Sequence, residues 1–273
     1  DSNLQNCALN TFGNFVTLDG NTFEGVIANW FADGCGAVDA DGNTITEDDL
    51  RGIARDDMVP EETVEPTSVT VKNADEFLAA IAPNAEIIID AKEIDLSTAK
   101  DYGGGPQKYY RWMENFDGPG LMITGVKNLT IRSKDGKTKN HTVCAVPRYA
   151  DVLYFSSCEN LVLSGFTAGH TQEPGYCTGG VLTFENCMNV TVNDCGMYGC
   201  GILGVNAASC TQITLRKCDI YECSYGGISM YGTTGIILQD CSFRDLGGNN
   251  IQLSGCSDVT VDGEPIPGDY NGR

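Results

Sequence analysis

Positive charge is what this chain has least of. Seventeen Lys and Arg face thirty-seven Asp and Glu, a net charge of −20 over 273 residues. Such a balance repels phosphate backbones and excludes nucleic acid as a partner. Histidine is almost missing, with two residues, and tryptophan also has two. No apolar run reaches the ~20 residues of a membrane-spanning helix, and no secretory leader is visible at Asp1. Amphipathic helical patterns are scarce after residue 82. What remains is rich in short apolar triplets, with 33 glycines among them.

Those triplets recur. Asn128-Leu-Thr-Ile, Asn160-Leu-Val-Leu, Asn189-Val-Thr-Val, Gln212-Ile-Thr-Leu, Gly235-Ile-Ile-Leu and Asp258-Val-Thr-Val start 32, 29, 23, 23 and 23 residues apart. A period in the twenties built from strand-like segments predicts an all-β solenoid, a single-stranded parallel β-helix. Residues two apart share a face of a strand, so Leu129, Leu161, Val190, Ile213, Ile236 and Val259 form one inward column. A second strand supplies Leu153, Leu182, Val205, Ile228 and Ile251, with Phe155, Phe184, Ala207, Met230 and Leu253 two positions later. Cysteine follows the same register: Phe166, Cys195, Cys218, Cys241 in one column; Cys177, Cys200, Cys223, Leu246 in another; Cys158, Cys187, Cys210, Thr233, Cys256 in a third. Cysteine interchangeable with Phe, Leu and Thr acts as a small core side chain. Parallel thiols ~4.8 Å apart suit disulfides poorly, so most of the thirteen are expected free. Cys7 and Cys35 lie outside the columns and are the best candidates for a bridge.

The rest of the chain divides around the coils at 128–263. Residues 1–58 read as a small helical module, from the helical spacing of Phe23, Val26, Ile27, Trp30 and Phe31 and a capping box at Thr46 and Asp49. Asp39 to Asn43 reads as a tight acidic turn, since it lacks the glycine of a calcium loop. Residues 59–67 form an acidic, proline-bounded linker. Residues 68–127 supply an N-terminal cap, a strand followed by a short helix capped by Asn73, then further strands. Residues 264–273 are a C-terminal tail.

This cap followed by Asn-Leu-Thr-Ile coils resembles the right-handed parallel β-helix proteins of the pectate-lyase-like superfamily, over about residues 68–263. The segment from Gly169 to Val181 and Tyr198-Gly-Cys-Gly resemble a group of bacterial β-helix repeat proteins. The resemblance implies an extracellular or cell-surface bacterial protein, monomeric, with a polysaccharide as partner. It implies action on acidic polysaccharides, as a lyase or glycoside hydrolase. The polygalacturonase motifs are incomplete, because Thr171 follows Gly169-His170 and the paired aspartates are missing from the repeats. The alternative is a non-catalytic cell-surface carbohydrate-binding or adhesion module.

Candidate chemistry gathers in two places. The first two coils carry inserts at the same point, Ser133 to Thr142 and Thr167 to Tyr176, holding the two histidines, His141 and His170. Lys137 and Lys139 of the first and Glu173 of the second join His141 as candidate substrate contacts. Later coils align Tyr198, Tyr221 and Arg244, and beside them Glu222 and Asp245. Tyrosine faces stack on sugars, and Arg244 could clamp a uronate carboxylate. Glu222 and Asp245, one coil apart, could serve as acid and base or hold a cation such as calcium, with His170 assisting proton transfer. No dedicated metal-ligand motif is present. Plain turn or solvated-face roles are the alternative for each of these residues.

Overall fold

A computed structural model describes residues 65–171, 179–199 and 202–272, and the short segments 3–5, 8–11, 15–18, 22–24, 27–30, 36–38 and 44–45. The chain divides into two compact units, Asp1–Thr63 and Val64–Arg273.

In the second unit each coil has three strands, and stacking them gives three sheets. The first sheet holds nine strands, including Lys127–Ser133, Glu159–Ser164, Met188–Asn193, Thr211–Arg216 and Thr234–Gln239. The second holds six short strands: Glu93–Asp95, Thr142–Ala145, Thr167–His170, Gly196–Tyr198, Asp219–Tyr221 and Ser242–Arg244. The third holds eight, from Tyr110–Met113 and Gly120–Thr124 through Leu153–Ser156, Leu182–Glu185, Leu203–Ala208, Gly226–Tyr231 and Ile251–Ser254 to Tyr270–Gly272. Coil-to-coil pairing is parallel, with Leu161 opposite Val190, Val190 opposite Ile213 and Ile213 opposite Ile236. Every member of that column from Leu129 to Ile236 is fully buried. Alternation therefore works as the repeat requires: apolar residues inward, Thr191 and Thr214 half-buried on the outer face.

Corners between strands need left-handed backbone. Asn128, Asn160, Asn189 and Gln212 adopt it at φ 56°, 55°, 55° and 58°. Asparagine tolerates this region best after glycine. Here its side chain also makes a ladder: Nδ2 of Asn128, Asn160 and Asn189 each donates to Oδ1 of the preceding rung, Asn84, Asn128 and Asn160, at 2.7 Å.

Both ends of the stack are closed. Helix α1 (Ala74–Ala79) starts at Asn73, whose side chain accepts from the Glu76 N–H at 2.9 Å, while the Glu76 carboxylate accepts from the Lys72 N–H. Its buried face, Phe77 and Leu78, joins the solenoid core. The segment read as a tail instead folds back: Glu264–Ile266 pairs antiparallel with Ser257–Val261, and Tyr270–Gly272 with Ile251–Ser254. Strand Thr67–Val71 begins within the stretch read as linker.

The first unit corrects the helical reading of its sequence. The described residues there are strands, with Asn3–Gln5 parallel to Thr22–Glu24, Ala8–Thr11 to Ile27–Trp30 and Phe15–Thr17 to Gly36–Val38. Phe23, Ile27 and Trp30, spaced like one face of a helix, lie on two separate strands. Partners about 19 residues upstream complete their ladders, and aromatic and β-branched residues suit that setting. Thr46 and Asp49, Asp39 to Asn43, and the proposed Cys7–Cys35 pair lie outside the described residues.

All nine described cysteines are free. Seven are buried, while Cys241 and Cys256 are partly exposed. Hydrogen bonding with the Cys218 thiol draws the Cys241 pKa down, and burial pushes that of Cys144 up. Iodoacetamide on the native protein should therefore label Cys241 and Cys256 first among these nine. Peptide mapping that found native Cys187 modified as fast as Cys241 would contradict this packing.

Candidate functional site

The second sheet aligns Tyr198, Tyr221 and Arg244 on successive coils. Their inward neighbours Met197 and Ile220 are fully buried, so alternation turns the three outward. The tyrosine rings pack at 5.4 Å with a 36° tilt, and the Arg244 guanidinium lies 3.7 Å from the Tyr221 centroid. Above them Gly169 leaves room, since a Cβ there would sit 2.7 Å from the Tyr198 ring. Both faces of Tyr221 are thus occupied within the protein, and its rim is what meets solvent. Arg244 is further held by Asp219 Oδ2 at 3.0 Å and lies 3.9 Å from Asp245. The hydrogen bond to Asp219 raises the Arg244 pKa. These groups are about half exposed, so the pair adds at most about 1 kcal/mol.

Glu222 and Asp245 occupy the next corner, both left-handed at φ 55° and 54°. The Glu222 N–H donates to the Arg244 carbonyl at 3.3 Å, which locks the corners of the two coils together. Arg244 and Asp245 line a cavity of about 300 Å³ with Phe243, Gly247, Gly248 and Asn250. That size lies at the lower end of the usual range for ligand pockets.

The two histidines are not on this surface. His170 is the last residue of its strand and 2 % exposed. Its Nε2 donates to the Ala150 carbonyl at 2.8 Å, while Nδ1 is buried with no hydrogen-bond partner. Burial lowers its pKa, which keeps the ring neutral. His141 is also buried, held between the Ala91 carbonyl at 2.8 Å and Asp135 at 3.0 Å. Asp135 also accepts from Asn140 Nδ2 and the Lys137 N–H, so the first insert folds around this carboxylate. Lys137 and Lys139 are exposed on that insert. Their basic neighbours are partly neutralised: Arg132 pairs with Glu86 at 2.6 Å and Lys134 with Asp90 at 2.9 Å. Glu173 lies outside the described residues. Among the described residues, no group of three or more His, Cys, Asp or Glu converges on one point.

Sequence reasoning missed a second group, on the outer face of the third sheet. Asp151 and Tyr154 line a pocket beneath Tyr149 and Asn115, and Tyr154 donates to Glu185. One signal was available: inward Leu153 and Phe155 turn Tyr154 outward.

Residues 179–266 match the family model described as a right handed beta helix region. A crystal structure from Parabacteroides merdae ATCC 43184, of a protein provisionally described as a glycosyl hydrolase, aligns over 65 % of this chain and 84 % of its own. Identity there is 14 % and the TM-score 0.34, too remote to bear on chemistry. No curated protein matches the chain significantly. Three sheets whose coils pair in parallel, columns in register and the coils matched at 179–266 together make the unit Val64–Arg273 a right-handed parallel β-helix.

Proposed function

We propose that this β-helix is a carbohydrate-active protein that holds an acidic polysaccharide at the corner formed by Arg244 and Asp245. The observation that carries this reading is the cavity of about 300 Å³ at the exposed end of the Tyr198–Tyr221–Arg244 stack. A uronate carboxylate would compete with Asp219 for the guanidinium, and Gly247, Gly248 and Asn250 line the cavity where a sugar ring would sit. Glu222 and Asp245, on adjacent coils ~4.8 Å apart, would carry acid and base roles or share a calcium ion with the substrate. Proton transfer falls to these carboxylates, because the His170 ring is buried and neutral. Lyase and hydrolase chemistry both fit. On this reading the protein works as a monomer outside a bacterial cell or on its surface.

A non-catalytic binding module is the second reading. The enclosed faces of Tyr221 and the commitment of Arg244 to Asp219 favour it. One experiment addresses both. Oligogalacturonate and other uronate oligomers are incubated with the protein, and unsaturated ends, reducing ends and binding are measured. Arg244→Ala should weaken binding by about 1.5–3 kcal/mol, on the order of 10- to 100-fold, as loss of a charged hydrogen bond does. Unchanged affinity in that variant would remove the corner from the reading. Binding without any product would select the module.

A further inference from the structure

At the N-terminal end of the third sheet, strand Tyr110–Met113 runs antiparallel to Gly120–Thr124 and closes the sheet's edge. The loop between them carries Phe116, which is 89 % exposed. No other large apolar side chain among the described residues is as exposed. Its ring packs against Tyr149 at 5.2 Å with a 56° tilt, so the two form one aromatic surface. An aromatic side chain this exposed, tied to a second ring rather than left alone, marks a contact surface.

Beside it lies a pocket of about 60 Å³. Met113 and Leu121 supply apolar wall; Asn115, Tyr149, Asp151 and Tyr154 supply polar groups. Asn115 also borders an open hollow of about 560 Å³ with Trp112, Phe116 and Asp117. Asp151 Oδ1 accepts from the Gly180 N–H at 2.6 Å. Burial pushes its carboxyl above the usual carboxylate range, against the opposing pull of that bond. Tyr154 donates to Glu185, and burial together with this bond raises the phenol pKa. Thr183, opposite Tyr154 in register, is 7 % exposed, and its hydroxyl bears on the Asp151 carboxyl and lowers its pKa against the effect of burial. Donors and acceptors are therefore concentrated here.

The charge at this place is distinctive. No Lys or Arg lines the pocket. Arg111, at the sheet's edge, is bound through Nε to Met122 Sδ at 3.2 Å. Along the coils the outward column runs Tyr154, Thr183, Asn206, Ser229, Gln252, all uncharged. The pocket lining itself offers no cation to a uronate, whereas each of these side chains can bond a sugar hydroxyl.

We infer that the Phe116–Tyr149 surface and the adjoining Asp151 pocket form a subsite for the terminal unit of an uncharged glycan. The sugar ring lies on the two aromatic rings, and its hydroxymethyl group enters the pocket. There the Asp151 carboxyl bonds the hydroxymethyl group through the oxygen that Gly180 does not hold. The following sugar units continue along the uncharged column. This inference shares the carbohydrate reading given above but not its acidic substrate or its Arg244 corner.

The test is titration of the whole protein with uncharged tetrasaccharides of glucose, mannose and galactose, followed by calorimetry or ligand-observed NMR. At least one should bind. Phe116→Ala removes an exposed ring without touching the core, and should weaken that binding about tenfold. Asp151→Asn should bind within about twofold of the unaltered protein, because an amide also accepts from Gly180 and bonds the hydroxymethyl group. Arg244→Ala should leave binding unchanged, which separates this subsite from the corner. No binding of any of the three sugars up to millimolar concentration would overturn the inference. So would a Phe116→Ala variant of unaltered affinity. A folded Asp151→Ala variant of unaltered affinity would take the hydroxymethyl group out of this pocket.

Discussion

Phe184→Ala is expected to destabilise the β-helix by about 3–5 kcal/mol, as large-to-small changes at buried aromatics do. Phe184 is fully buried and stacks on Phe155 at 5.5 Å with planes 14° apart. Its neighbour in the same column on the following coil is Ala207, already small. Two alanines in succession would leave a void that no adjacent side chain can reach. Such a loss is a large share of the 5–15 kcal/mol that stabilises most domains. Phe184→Leu keeps most of the volume and should cost only about 1–1.5 kcal/mol. Urea unfolding followed by circular dichroism gives both numbers. An alanine variant within about 1 kcal/mol of the unaltered protein would mean that the column does not pack as described.

The second large effect concerns the corner ladder. Asn160 donates to Asn128 and accepts from Asn189, each at 2.7 Å, while holding φ at 55°. Asn160→Ala removes both bonds, about 0.5–1.5 kcal/mol each, and puts an alanine in the left-handed region at about 1–2 kcal/mol. The sum is about 2–5 kcal/mol. Asn160→Gly loses the same bonds but not the backbone ease, and should recover about 1 kcal/mol. The gap between the two variants isolates the backbone contribution. Equal stability of both would show that the side-chain ladder alone matters at this corner.

Most of the solenoid was legible because its core repeats at a fixed period. Leu129 through Val259 could be aligned by eye, and the parallel register follows from that alignment. The second sheet was harder to see, since its strands of three or four residues place a single inward side chain, such as Ala168, Met197 or Ile220. Short strands leave no alternation to count. The first unit misled because Phe23, Ile27 and Trp30 match helical spacing while belonging to strands separated by a corner. A better signal was present: Asp19-Gly-Asn-Thr22 returns as Asp41-Gly-Asn-Thr44, 22 residues on. For the candidate site, register alone places Tyr198, Tyr221 and Arg244 together. Whether a ring face is open depends on side-chain rotamers, which no column alignment encodes. His170 looked like a loop residue because an insert follows it, yet it ends a strand and turns into the corner.

The two reversed strands at 264–266 and 270–272 bear on the length of the second unit as well as its closure. Nothing inside a stack of equivalent turns tells it when to finish. Each rung presents the next with the same template, so length is decided only by where the chain doubles back and by the helix at the opposite end. Duplicating a 23-residue rung such as 212–234 would lengthen the rod and leave both closures intact. An internal gene duplication of that kind is a cheap route by which a molecule like this acquires a longer flank for a longer ligand.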